Sequence, residues 1–222
     1  MGRRRHVVLM GPPGAGKGTQ AGRLATEEGL CRISTGDLLR AAVQAGSELG
    51  RVAEGYMTRG ELVPDELMLD LVAEELNRPA CAAGAVYDGF PRTIEQARAL
   101  DRILEERGEG VDQVIVIEVP EGELIRRMSG RRVCQNCGKL YHISLLSAGE
   151  RAVCEGCGGP LVQRADDRPE TIQRRLSVHR QETEPVLAYY NERTGVSAVR
   201  GDREIDDVAA AIRRLVTVES GA

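Results

Sequence analysis

Gly11-Pro12-Pro13-Gly14-Ala15-Gly16-Lys17-Gly18-Thr19 is the stretch that decides the fold. A short apolar run, His6 to Met10, leads into it, and helix formers take over from Gly16 to about Glu28. Strand, glycine-rich loop, helix is the opening of an α/β nucleotide-binding architecture. Glycines let the loop turn its N–H groups inward around a polyphosphate, and the helix N-terminus adds its positive dipole end. Lys17 supplies a mobile point charge for the β and γ phosphates. Where nearly all 30 basic residues are Arg, it is one of two lysines, with Lys139. Codon or genome bias is the bland explanation for the Arg excess itself. A glycine turn without a ligand is the bland alternative, and the flanking strand, helix and lysine argue against it.

Downstream, strands and helices keep alternating. Ser34 to Thr58 carries two helical segments broken near Gly46, and a helix starts after Pro64-Asp65 with Asp65 as its expected cap. Ala85 to Asp88 is a short strand, followed by a helix from Thr93 to about Glu106. There, Thr93 and Gln96 have capping-box form. Gln113 to Val119 is the clearest strand, β-branched and nearly all apolar, as in a parallel sheet covered on both faces. A helix follows from Glu121 to about Gly130. Another runs from Pro169 toward Arg193, Val196 to Val199 is a last strand, and Asp206 to Val218 a last helix. The expected core is a three-layer α/β/α fold with a five-stranded parallel sheet.

Bulk properties narrow the classes. The chain has 222 residues, 41% hydrophobic and 29% charged, with a net charge of −4. That suits one well-cored domain with insertions, and it argues against a dedicated nucleic-acid binder. No stretch approaches eighteen consecutive apolar residues, so no membrane span is expected. The basic start Met1-Gly2-Arg3-Arg4-Arg5 precedes an apolar run too short for a signal-peptide core, so a cytoplasmic location is expected.

Four motifs carry a resemblance. The loop has the form G-x-P-G-x-G-K-G-T of nucleoside monophosphate kinases, with Gly18 where Ser or Thr usually follows the lysine and Thr19 one residue late. That displaces the loop hydroxyl that binds Mg²⁺ in other such loops. Ser34-Thr35-Gly36-Asp37-Leu38-Leu39-Arg40, Gly60-Glu61-Leu62-Val63-Pro64-Asp65 and Asp88-Gly89-Phe90-Pro91-Arg92-Thr93 match further segments in order. Over essentially its whole length the chain resembles the adenylate kinase family, of the type with a long zinc-binding lid.

The resemblance implies reversible phosphoryl transfer from Mg·ATP to AMP, giving two ADP. Gly14, Ala15, Gly16, Lys17, Gly18 and Thr19 would hold ATP. Thr35, Arg40, Glu61, Leu62, Val63, Gly89, Arg92 and Gln96 would bind AMP. Arginine forks suit a phosphate dianion, and an amide can satisfy both a donor and an acceptor on an adenine edge. Asp88 would hold Mg²⁺ through water. Arg127 and Tyr141 would lie by the ATP adenine, and near Arg203 the backbone would touch ATP. Arg131, Arg164 and Arg175 would close on the phosphates, the last two bridging toward AMP. With Lys17 and Arg92 they form the catalytic set, since phosphoryl transfer relies on positioning and charge stabilisation. Asp166 and Asp167 are expected to pair with arginines, whereas Arg132, Arg174 and Phe90 read as solvated or packing residues. The parts implied are a core (residues 1–33, 64–129 and 168–222), an AMP-binding arm (34–63) and a lid (130–167). A monomer is expected, because nothing advertises a large apolar interface.

Residues 131–167 differ in character. Cys134-Gln135-Asn136-Cys137-Gly138 and Cys154-Glu155-Gly156-Cys157-Gly158 are two C-x-x-C-G knuckles. Four thiolates with no open position describe a structural Zn²⁺ site, and the rival is a pair of disulfides. Cys31 and Cys81 stand alone. An insertion too small for its own core needs such a staple, which would let it close as a rigid unit; Gly130 and the stretch near Asp166 and Asp167 are the expected hinges. A four-cysteine ribbon can also contact nucleic acid. Here, however, only Lys139 and Arg151 face Glu150 and Glu155, with one aromatic, Tyr141, between Cys134 and Cys157. A kinase for GTP, UMP or CMP is the other alternative. Thr35, Gln96 and the long lid favour AMP.

Overall fold

The apolar runs form five parallel strands: β1 (Arg5–Met10), β2 (Cys31–Ser34), β3 (Gly84–Asp88), β4 (Gln113–Glu118) and β8 (Val196–Arg200), in the order β2-β3-β1-β4-β8. The computed structural model describes residues 4–146 and 153–218. Met1 to Arg3, Glu150 and Arg151, invoked above for their charge, lie outside them. On β1 the alternation of a strand sorts the core: Val8 and Met10 face one buried cluster, Val7 and Leu9 the other. Helices α1 (Lys17–Glu28), α6 (Glu121–Gly130), α7 (Pro169–Val178) and α9 (Ile205–Val218) supply residues to the second cluster. Helices α2 (Thr35–Gln44), α3 (Glu48–Arg59), α4 (Asp65–Leu76), α5 (Ile94–Glu105) and α8 (Glu184–Asn191) supply the first. Both faces of the sheet are covered, as near-continuous apolar strands require.

Register sets the functional edge. Leu9 pairs with Asp88, and Asp88 with Ser34. The glycine loop after β1, the start of α2 after β2 and the turn after β3 therefore open side by side at the carboxyl end of the sheet.

Residues 131–162 add a second, antiparallel sheet: β5 (Arg131–Cys134) at the centre, β6 (Leu140–His142) and β7 (Leu161–Val162) beside it.

Several local expectations are corrected. Asp65 does not cap α4, whose N-cap is Pro64; its carboxylate instead accepts from Thr93 Oγ1 at 2.8 Å and Gln96 Nε2 at 2.6 Å. Thr93 does cap α5, accepting from the Gln96 N–H, but the Gln96 carbonyl accepts from the Arg92 N–H rather than closing a reciprocal box. The helix from Pro169 passes through a π turn at His179–Thr183, just before Pro185. Proline has no N–H to donate and its ring crowds the carbonyl four residues back, so the regular ladder cannot continue there. Cys31 and Cys81 do not stand alone. With Cα atoms 4.9 Å apart they are disulfide-bonded, tying the start of β2 to the turn before β3.

Helices α2 and α3 cross at Gly50, where a Cβ would lie 2.1 Å from the Ala42 carbonyl oxygen. Backbone cannot yield as a side-chain tip does. Gly50→Ala is expected to push α3 off α2 and lower stability by about 1–3 kcal/mol. Amide exchange in residues 35–60 should quicken far more than in the sheet; unchanged exchange there would show that the crossing tolerates the methyl.

Candidate active site

Every residue assigned above to a nucleotide lines one cleft of about 1380 Å³ at the carboxyl edge of the sheet, between the glycine loop, α2 and the small sheet. Arg132 and Arg174 do not line it. The first bonds the Ser129 and Arg131 carbonyls and the second is largely exposed, in keeping with their bland reading. Phe90 is 1% exposed and packs in the core.

The loop explains its own glycine after the lysine. A Cβ on Gly18 would sit 3.1 Å from Asp88 Oδ2 and 3.2 Å from Arg32 Nη2. A serine or threonine there would intrude on an ion pair, for Arg32 donates to Asp88 Oδ2 and to Asp37 Oδ2, each at 2.7 Å. Ser34 Oγ donates to the same Asp88 oxygen at 3.0 Å. Lys17 bends back, its Nζ donating to the carbonyls of Gly11 (2.6 Å) and Pro12 (2.9 Å). Thr35 Oγ1 and Arg92 Nε both donate to the Gly89 carbonyl, at 2.9 and 2.7 Å. Arg40 pairs with Asp37 at 2.5 Å. Arg127 is held by Glu123 at 2.6 Å and donates to the Gly201 carbonyl at 2.9 Å.

Across the cleft, Asp167 is fully buried and pairs with both Arg131 and Arg175, while Asp166 lies 3.1 Å from Arg175. Arg164 Nε is buried without a hydrogen-bond partner among the described residues. The electrostatics match this crowding. Burial, then Arg92, Arg175 and Arg131 against the pull of Asp88, push Lys17 down to about 7. Burial and Arg175 bring Arg92 down to about 10, and burial with Arg40 and Arg131 brings Arg164 to about 10. Cations so disfavoured in their charged form are disposed to bind a polyanion.

The four cysteine thiols lie within 4.8 Å of one another. The Cys134–Cys157 and Cys137–Cys154 sulfurs are 3.4 and 3.5 Å apart, too far for disulfides, and all four are free. This overturns the two-disulfide alternative and fits thiolates around one tetrahedral ion. Backbone N–H groups of Asn136 and Cys137 approach Cys134, lowering its pKa, and the Tyr141 hydroxyl with the N–H groups of Gly156 and Cys157 brings Cys154 to about 6. The neighbouring thiols push Cys157 the other way, up to about 12, so without an ion the four sulfurs share protons that a bound cation would displace. His142 is not in the cluster; it bonds Ser144 Oγ at 2.7 Å and its ring lies against Gly130.

Sequence reasoning passed over Arg32, whose partners come from other elements, and His179. The His179 ring lines the cleft from the π turn and faces the Gly11 carbonyl, and burial followed by Lys17 and Arg92 pushes it down to about 4. No local motif marks His179; it enters the cleft one helical turn after Arg175, a placement set by how this helix packs against the glycine loop.

Two outcomes follow from these charges. Arg164→Met removes a repelled cation, so the ligand-free protein should melt no lower than the parent while pyrophosphate stabilises it far less; a clear fall in melting temperature without ligand would contradict the repulsion argument. For His179 the folded pKa lies below the free value near 6.5, so the unfolded chain takes up the proton first. Its contribution is complete above pH 6.5 and is lost as pH falls toward 4, about 2 kcal/mol by pH 5. Urea unfolding of His179→Asn should therefore lose less stability between pH 7 and 5 than the parent, the residual slope including buried His6, which burial also lowers.

The family model described as adenylate kinase matches residues 9–195. A protein of Methanocella arvoryzae named adenylate kinase is 50% identical over 212 residues, 94% of this chain and 98% of its own. Namesakes from Lachnospira eligens (47% over 210 residues, 95% and 99%) and Archaeoglobus fulgidus (46% over 211, 95% and 97%) are similar throughout. With a parallel sheet, a glycine-loop cleft and four motifs in their expected order, the chain belongs to the adenylate kinase family.

Proposed function

We infer that this chain catalyses the reversible transfer of the terminal phosphoryl group of ATP to AMP, giving two ADP. The observation that carries the reading is the crowding of Lys17, Arg92, Arg131, Arg164 and Arg175 around one cleft. It is flanked by the glycine loop on one side and the segments at Thr35 and Gly89 on the other.

The loop N–H groups and Lys17 hold the ATP phosphates, Lys17 leaving the carbonyls of Gly11 and Pro12 to do so. Gly14, Ala15, Gly16, Gly18 and Thr19 shape that cradle. Arg127, Tyr141 and the backbone at Arg203 take the ATP base. Arg40 and Arg92 grip the AMP phosphate, with Thr35, Glu61, Leu62, Val63 and Gly89 about the nucleoside. Gln96 spends one amide hydrogen on Asp65 and one carbonyl lone pair on the Arg92 N–H. One of each is left for an adenine edge. Arg131, Arg164 and Arg175 stabilise charge on the transferring group. The acceptor is already a phosphate anion, so no side chain acts as a strong base.

Asp88, at the loop, would orient the water ligands of the Mg²⁺ that accompanies ATP once Arg32 yields, and that ion would shield the phosphate charge. Cys134, Cys137, Cys154 and Cys157 would hold Zn²⁺, which would supply rigidity and no chemistry. Residues 34–63 act as the AMP-binding arm and 130–167 as the lid, both closing on a core of 1–33, 64–129 and 168–222 to exclude water. A cytoplasmic monomer is the state in which we expect it to work. No described helix is long and apolar enough to cross a membrane.

The test is an assay with Mg·ATP against AMP, GMP, CMP and UMP in turn, with zinc quantified on the same sample. Turnover with AMP alone, at about one zinc per chain, is expected. Preference for another monophosphate would remove the roles given to Thr35 and Gln96, and no transfer to any would overturn the reading.

A further inference from the structure

Tyr141 belongs at once to the nucleotide cleft and to the cysteine cluster. On β6 it pairs opposite Arg132 of β5, and its ring lines the cleft. Its hydroxyl reaches the other way, donating to Cys154 Sγ at 3.2 Å and accepting from the Glu155 N–H at 3.1 Å. The phenol thus bridges β6 to the second knuckle. Lys139 Nζ stands 5.3 Å from the ring centroid.

We propose that Tyr141 is a positioning residue that couples the metal site to the adenine subsite, its hydroxyl orienting the Cys154 thiolate while its ring supports the purine. The purine half rests on the nucleotide reading above; the thiolate half does not. A hydrogen bond from outside the coordination sphere fixes the direction of a ligand's lone pair and raises metal retention. A purine lying on the same ring restrains that ring, and the ring carries the hydroxyl. A restraint at either end therefore lowers the cost of occupancy at the other. By linkage the effect is mutual: nucleotide slows metal loss, and metal tightens nucleotide.

The test uses zinc-loaded enzyme, with zinc release followed as its transfer to an excess of a zinc-selective metallochromic dye that does not compete for Mg²⁺, in the presence and absence of Mg·ATP. Tyr141→Phe keeps the ring and deletes only the hydroxyl. It should release zinc about tenfold or more faster than the parent. Saturating Mg·ATP should slow release from the parent and leave the variant's rate unchanged. Zinc release from Tyr141→Phe at the parental rate overturns the proposal. Tyr141→Leu, lacking ring and hydroxyl, separates the underlying reading: it should raise KM for ATP as well as quicken release. An unchanged KM there overturns the adenine placement and with it the coupling, even if the Phe variant loses zinc quickly.

Discussion

Like charges held close together govern this molecule. Arg164 has a buried Nε without a partner among the described residues, and Lys17 is pushed down to about 7 among Arg92, Arg131 and Arg175. Such an arrangement costs free energy in the empty protein and returns it when a polyanion arrives. The rest of the fold can be read as the frame that keeps these groups together. Asp167, fully buried, anchors Arg131 and Arg175 from beneath, and Asp166 adds a second carboxylate beside Arg175, so the cations are held in place from the protein side while facing the cleft.

That frame is the carboxyl edge of the sheet. Because Leu9, Asp88 and Ser34 are in register, three loops emerge at one level and their polar residues meet without any one loop being long. The Asp88 carboxylate is where the loops interlock. It takes Arg32 and Ser34 from one side and stands within a methyl group's reach of Gly18 on the other. The small residue after Lys17 is thereby fixed by space, in addition to any demand of the phosphates. Gln96 and Asp65 make a similar lock between α4 and α5 beneath the turn that presents Arg92.

The cysteine segment solves a different problem. Three strands of four, three and two residues cannot bury a core of their own. Four sulfurs converging within one metal's reach replace that core with coordination bonds. The segment also carries Arg131 and Tyr141 into the nucleotide cleft, so its rigidity bears directly on where those side chains stand.

Much of this was legible in the residues. Alternating apolar runs and helix formers dictated the parallel sheet, because strands buried on both faces must be apolar throughout. The glycine loop and the C-x-x-C pairs announced a phosphate and a metal, because both chemistries demand fixed local spacing. Long-range pairings were not legible: the Cys31–Cys81 bond across fifty residues, Arg32 on Asp88, Asp65 on Gln96 instead of its own helix, and His179 against the glycine-loop cleft. Local chemistry is set by neighbours along the chain and can be read there. Which distant groups share one volume depends on strand order, register and helix phase, and only the packed structure decides that.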